Sequence, residues 1–295
     1  MIAITGASGF IGRELVARAR DAGREVLALS RTDGSVADYE NAGALARAFQ
    51  GAEAVVHVAA RAHRSGSDED FECNVRAARA VTAAARSCGL RRVVLLSSIG
   101  VNGNVTHGAP FTEADVPAPV EPYARSKLRA EHEVRAGGVE WVVIRPPLVY
   151  GPNAPGNFGR LVRAVARGWP LPLASVQNRR SLVGVGHLCD FILSCVSHPS
   201  AANELFLVAD GEALSTPQIV RSIARGLGTN ARLWPAPPAL LKAAAALAGR
   251  GRAAQSLCDS LEVDASKARR LLGWSPAQGT SEGLERMAAQ WRFER

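Results

Sequence analysis

Two hydrophobic rhythms alternate along the first half of the chain. Short runs that are almost wholly apolar, "MIAIT", "EVLALS", "AEAVVHVAA", "RRVVLLSS" and "WVVIR", are spaced by stretches with apolar residues every three or four positions. The second kind includes "FIGRELVARARDAG", "NAGALARAFQ", "FECNVRAARAVTAAARSCG" and a segment from about Tyr123. Continuous apolar runs suit strands buried on both faces, and the three-to-four spacing suits helices laid over them. With right-handed crossovers this predicts an α/β fold, a Rossmann-type doubly wound parallel sheet.

After about residue 152 the rhythm breaks. "GPNAPGNFG" and "GWPLPLASVQNRRS" are loop-like and rich in Pro and Gly, and mostly helical patterns follow. We therefore expect a dinucleotide-binding domain over 1–152 plus about 182–208. A smaller C-terminal substrate domain takes 153–181 and 209–295, with the cleft between them. The Ala-rich run "ALLKAAAALAG" (239–249) is too short to span a bilayer and contains Lys242. It is expected as a buried or surface helix without stable membrane insertion, and contact with a membrane surface stays open.

Composition narrows the class. Hydrophobic residues at 47% with 21% charged describe a globular protein. The five Cys (73, 88, 189, 195, 258) are scattered, with no C-x-x-C pair, and none of His57, His63, His107, His132, His187 and His198 sits at ligand spacing. This predicts reduced thiols, no metal site and a cytoplasmic setting, as does a chain opening on a strand instead of a leader. The net charge of +8 suits anionic ligands, and the spread of Arg without interleaved aromatics argues against nucleic acid.

"ITGASGFIG" puts Gly6, Gly9 and Gly12 between the first strand and the first helix. Gly6 permits the tight turn, Gly9 lets backbone approach a pyrophosphate, and Gly12 allows close packing, with the helix N-terminus facing the phosphates. The spacing is G-x-x-G-x-x-G, not the commoner G-x-G-x-x-G. At the end of the second strand, where an NAD site places an acid, the chain has Ser30 and Arg31. An Arg can hold a 2′-phosphate, so NADP(H) is favoured over NAD(H). A solvated Arg31 and the nearby Asp33 are the competing considerations.

The stretch "EPYARSK" (121–127) contains Tyr123 and Lys127, in a chain with only three Tyr and three Lys. A Lys one helical turn from a Tyr on the same face stabilises tyrosinate and can also reach a ribose hydroxyl. A third partner closes "RRVVLLSS" at the carboxyl edge of the sheet, where α/β ligands sit. Of its two serines, Ser98 is taken to meet the substrate oxygen, and Ser97 to pack or contact the cofactor.

With "TGASGFIG", "HVAA", "LLSSIGVNG", "YARSK", "RPPLVYGP" and "VDASKARRLLGW" in order across nearly the whole chain, the sequence resembles extended short-chain dehydrogenases/reductases of the nucleotide-sugar epimerase/dehydratase group. The resemblance implies that Ser98, Tyr123 and Lys127 form the catalytic triad. It implies that Gly6, Gly9, Phe10, Ile11 and Gly12 cradle the dinucleotide, with Arg31 and Asp38 at the adenosine end and Ala59, Ala60 and Arg61 near its middle. Asn157 and Arg180 would hold the diphosphate of a UDP-linked sugar, although Asn157 also suits a helix N-cap and Arg179 competes with Arg180. A homodimer is the implied assembly.

The same resemblance orders the reactions. Dehydratases carry Asp-Glu after the catalytic Ser/Thr, where this chain has Ile99 and Gly100, so dehydration is set aside. "RPPLVYGP" departs from the "N-P" element usual in UDP-galactose 4-epimerases. "SSIGVNG", "PYARSK", "GWPLPL" and "NRRSLV" together look most like 4-ketoreductases. NADPH-dependent reduction of a UDP-4-keto-6-deoxy-HexNAc for surface polysaccharide is therefore the leading expectation. An NAD-dependent UDP-hexose or UDP-HexNAc 4-epimerase is the alternative, and a non-catalytic dinucleotide sensor is the distant one.

Overall fold

The structure is a computed structural model describing residues 1–31, 34–35, 38–62, 66–249 and 251–291. Asp33 and His63 lie outside the described residues. In chain order the first half runs β1 (Ile2–Thr5), α1 (Phe10–Asp21), β2 (Val26–Leu29), α2 (Ala42–Ala48), β3 (Ala54–His57) and α3 (Glu72–Ser87). It continues with β4 (Arg92–Leu96), α4 (Pro122–Arg135) and β5 (Glu140–Arg145). Then follow β6 (Leu148–Tyr150), α5 (Gly156–Ala166), β7 (Leu182–Gly184), α6 (Val185–Ser197) and β8 (Glu204–Leu207). The chain ends in α7 (Thr216–Gly226), α8 (Pro238–Leu247), α9 (Gly251–Cys258), α10 (Ser266–Leu272) and α11 (Thr280–Ala289).

Six strands form one parallel sheet in the order β2-β1-β3-β4-β5-β8, and β6 pairs with β7 in a small parallel sheet of its own. The apolar runs fit this because every residue of β1, β3 and β4 is buried. Alternate residues face opposite layers: Ile2, Ile4, Val56 and Val94 meet α1 and α6, whereas Ala3, Val55, Val93 and Leu95 meet α2, α3 and α4. The strand order reverses between β1 and β3, the point where a doubly wound sheet opens a crevice at its carboxyl edge.

Arg92 is the exception in the apolar β4. It is fully buried, yet its guanidinium donates to the carbonyls of Cys195, Val196 and His198 at the end of α6 and pairs with Glu140. An α6 terminus lacking acceptor-satisfying amides thus receives its donors, and its negative dipole end, a cation.

A second core gathers Tyr150, Phe158, Val162, Leu214, Val220, Ile223, Leu284 and Trp291 from β6, α5, α7, α11 and their connections. Phe10, at the start of α1, packs on both cores. The "ALLKAAAALAG" run is α8, and none of its residues is buried. No helix among the described residues is long and apolar enough to cross a membrane.

Candidate active site

The glycine loop follows from steric demands visible at two positions. Gly6 has φ +74°, and a Cβ there would lie 2.7 Å from the Ala59 amide nitrogen. A side chain at Gly12 would collide with the Gly6 carbonyl, so the third glycine lets α1 close on the loop itself. Gly9 is exposed at the N-cap of α1, whose first turn carries no acid. Amide donors and a positive dipole end therefore face the crevice, an arrangement that fits a pyrophosphate. Phe10 and Ile11 turn their side chains into the cores and leave backbone at the site.

The close approach of Gly6 to Ala59 brings the residues after β3, Ala59, Ala60 and Arg61, beside the loop. Asn74 of α3 fixes them: its side chain accepts from the Arg61 amide at 2.7 Å and donates to the Arg61 carbonyl at 3.1 Å. The same amide group donates to Ser126 Oγ, which in turn donates to the Tyr123 carbonyl. One buried Asn thus joins the segment after β3 to α4. Sequence reasoning missed it, because an Asn inside an Ala-rich helical pattern has no motif around it; its position on the buried face was the available signal.

At the end of β2, Arg31 is exposed, its guanidinium 5.8 Å from the Tyr39 ring centroid. Ser30 Oγ donates to Ser8 Oγ at 2.7 Å, and Ser35 Oγ bonds both the amide and the carbonyl of Ser30. Tyr39 accepts from the Gly6 amide and donates to the Leu29 carbonyl, each at 2.9 Å, tying β2 to the glycine loop. Asp38 is exposed and accepts from the Glu40 amide.

Ser98 lies just beyond β4, where the β4–β5 pairing continues through Ser97 N–H to the Ile144 carbonyl and Ile99 N–H to the Pro146 carbonyl. Its Oγ accepts from the Gly100 amide at 3.1 Å, which leaves the hydroxyl proton available as a donor. Gly100 allows the approach of α4: a Cβ there would meet Ala124 Cβ at 3.3 Å. Ser98 and the first turn of α4 are thereby held together, and Tyr123 and Lys127 share one face of that helix, four residues apart. Phe71 packs edge-on to Tyr123, with ring centroids 5.9 Å apart.

The electrostatics depart from the expectation that Lys127 lowers the tyrosine. Burial pushes the Tyr123 phenol up to about 12. Lys127 is 2% exposed and burial pulls it down to about 8, partly offset by the Glu131 carboxylate one turn further along. In each case burial disfavours the charged form, which loses its water. His57, buried at the end of β3 and bonded through Nδ1 to Thr5 Oγ1 at 2.7 Å, is held neutral. Burial first, then the Lys127 charge, bring it to about 3.

Behind Lys127 stands a buried ionic cluster. Arg145 of β5 makes a two-pronged pair with Glu131 at 2.9 and 2.6 Å and donates to Asn102. Ser97 Oγ donates to Glu131 at 2.5 Å.

The sugar-end candidates sit in the other lobe. Asn157 is exposed one residue inside α5, whose N-cap is Pro155, so it is no N-cap; its side chain accepts from Arg160. Arg179 turns outward to Glu262, whereas Arg180 is buried, donates to the Asp259 carbonyl and bridges the chain to Leu214 and Leu261. Burial lowers its pKa, with Asp259 opposing. Among the described residues no His, Cys, Asp and Glu group could hold a metal.

A parallel α/β sheet with a glycine-rich turn at its switch point and a Ser, Tyr and Lys at its carboxyl edge is the arrangement of the short-chain dehydrogenase/reductase fold. Residues 2–209 match the model of the NAD dependent epimerase/dehydratase family, and the chain belongs to that family. It is 36% identical to UDP-glucose 4-epimerase of Vibrio cholerae, over 97% of this chain and 94% of that protein. Among solved structures it resembles UDP-N-acetylglucosamine 4-epimerase from Bacillus cereus (TM-score 0.82, 23% identity, 99% of both chains). It also resembles MoeE5 in complex with UDP-glucose and NAD (TM-score 0.78, 27% identity, 97% of both chains).

Proposed function

We propose that this protein inverts C4 of a UDP-linked sugar, with NAD bound at the carboxyl edge of the sheet. The observation that carries the reading is Ser98 held against the α4 turn that presents Tyr123 and Lys127. Likeness to UDP-glucose 4-epimerase over nearly the whole chain supports epimerisation over net reduction. The dinucleotide, when bound, supplies a hydride acceptor at C4 that can return the same hydride. Tyr123, as tyrosinate, takes the proton from the C4 hydroxyl and gives it back after the keto sugar has turned its other face, so one residue serves both directions. Ser98 donates to the same oxygen, and Lys127 places its charge beside the Tyr123 phenol as the proton leaves.

The residues 153–181 and 209–295 form the nucleotide-sugar lobe in this reading, with Asn157 and Arg180 as diphosphate donors. The assembly is a homodimer in a cytoplasmic setting.

One observation favours a second reading. Arg31 with Ser8, Ser30 and Ser35 at the end of β2 offers a guanidinium and hydroxyls where a 2′-hydroxyl partner would be acidic. A 2′-phosphate suits that set, and NADPH would drive net reduction of a UDP-4-keto-6-deoxy-HexNAc at the same triad.

The test is to purify the protein, identify the released dinucleotide and incubate the protein with UDP-glucose and UDP-N-acetylglucosamine, following C4 by NMR. Bound NAD and a C4 epimer formed without added reductant is the expected result. An empty protein that prefers NADPH tenfold, about 1.4 kcal/mol, and consumes it on a UDP-4-keto sugar overturns epimerisation in favour of reduction. Dinucleotide binding with no turnover of either kind supports the sensor.

A further inference from the structure

Charge is segregated along this chain. Residues 141–189 and 213–258 contain no Asp or Glu and carry twelve of the 35 Lys and Arg, which leaves 23 cations against 27 acids elsewhere. The chain's positive surplus therefore resides in the segments that build α5, α7, α8 and their connections.

Part of that charge is organised on one surface. Arg160 and Arg163 of α5 and Arg167 at its C-cap are all exposed and follow one another at spacings of three and four, a single helical face. The stripe runs out at Trp169, which is 55% exposed, with the Arg167 guanidinium 5.7 Å from its ring centroid. Arg232, also exposed, lies against Gly168, and the backbone of Leu171 pairs on either side with Arg232 and Trp234. Trp234 is 49% exposed. Among the described residues, no carboxylate pairs with any of these four arginines.

From Trp234 the chain passes through Pro237 directly into α8, a helix of Leu and Ala. Its one charged residue, Lys242, is tied to Asp259. Leu240 is 65% exposed and Leu247 93%, while Leu241 alone of its leucines leans on the second core. Two half-exposed indoles, an apolar helix and an unopposed arginine stripe are an ordinary requirement for neither solubility nor the sugar chemistry. Together they match a surface that rests in the headgroup region of a bilayer: Trp at the interface, leucines below it, Arg against anionic lipid.

We propose that this face of the C-terminal lobe docks peripherally on an anionic phospholipid bilayer. The inference does not depend on which C4 reaction the protein performs. Each unopposed Arg adds attraction to a negative leaflet, and the short α8 can lie in the interface without spanning it.

The test is co-sedimentation of the full chain with phosphatidylcholine vesicles, with and without phosphatidylglycerol, at low and high salt. Two variants accompany it, Arg163→Glu/Arg167→Glu and Leu240→Ser/Leu247→Ser, all at exposed positions outside the catalytic site. Binding to the anionic vesicles that weakens with salt, and falls at least tenfold in each variant while circular dichroism and turnover stay unchanged, is the expected result. Absence of binding to anionic vesicles, or equal binding by both variants, overturns the proposal. So does a self-association in sedimentation velocity that Leu240→Ser/Leu247→Ser abolishes without any vesicle binding, which would assign the face to a second copy of the chain.

Discussion

At the scale of the residue, burial works against the charged forms of both Tyr123 and Lys127. Removing the Tyr123 hydroxyl leaves the shape of the site and takes away the proposed proton carrier. Tyr123→Phe is therefore expected to lower kcat by about 10²- to 10⁴-fold while dinucleotide affinity changes less than about twofold, measured by steady-state kinetics and cofactor fluorescence titration. Lys127 supplies a second prediction with a worked sign. Its folded value of about 8 lies below the ordinary 10.5, so the unfolded chain binds the proton more tightly. The cost of burying the charge is present in full below about pH 8 and fades as pH rises toward the unfolded value. Lys127→Met should thus stabilise the fold at pH 7, by an order of about 3 kcal/mol at 1.36 kcal/mol per pKa unit, while activity is lost. Urea unfolding at pH 7 and pH 10 checks it: a gain that does not shrink at pH 10 would sink the argument. The Tyr–Lys spacing was plain in the sequence; that both groups would be desolvated was not, because burial of Lys127 depends on α4 packing against β4 and β5.

At the scale of the element, α4 and β5 are joined by the Glu131–Arg145 pair with Ser97 and Asn102. Both charges are buried, so removing one strands the other. Glu131→Leu is expected to cost about 3–5 kcal/mol in urea unfolding, whereas Glu131→Leu/Arg145→Leu should recover much of that loss. A double variant no better than the single one would show that the pair is not the coupled unit drawn here. Strands and helices of the nucleotide half were legible because buried parallel strands and their cover have distinct periods. The Glu131–Arg145 partnership was not, since a Glu four residues after a Lys on a helix looks like an ordinary surface pair until β5 is placed beneath it. Arg92 was hidden for the same reason: "RRVVLL" does not say which Arg enters the sheet, and only the position of the α6 terminus decides.

At the scale of the molecule, the two cores meet through Phe10, next to the glycine loop. A ligand that binds only the folded form stabilises it, so NAD at about a hundred times its Kd should raise the unfolding free energy by about 2.7 kcal/mol. Chemical denaturation with and without NAD checks this, and Gly12→Ala, which drives a methyl group into the Gly6 carbonyl, should abolish the increment. The segregation of charge along the chain also concentrates its positive surplus in the acid-free segments. A nucleoside diphosphate sugar carries negative charge, so it would be drawn toward the lobe proposed to receive it before any contact forms. Its capture rate would then decline steeply with ionic strength, while a neutral substrate analogue would arrive at the same pace in dilute buffer and in brine.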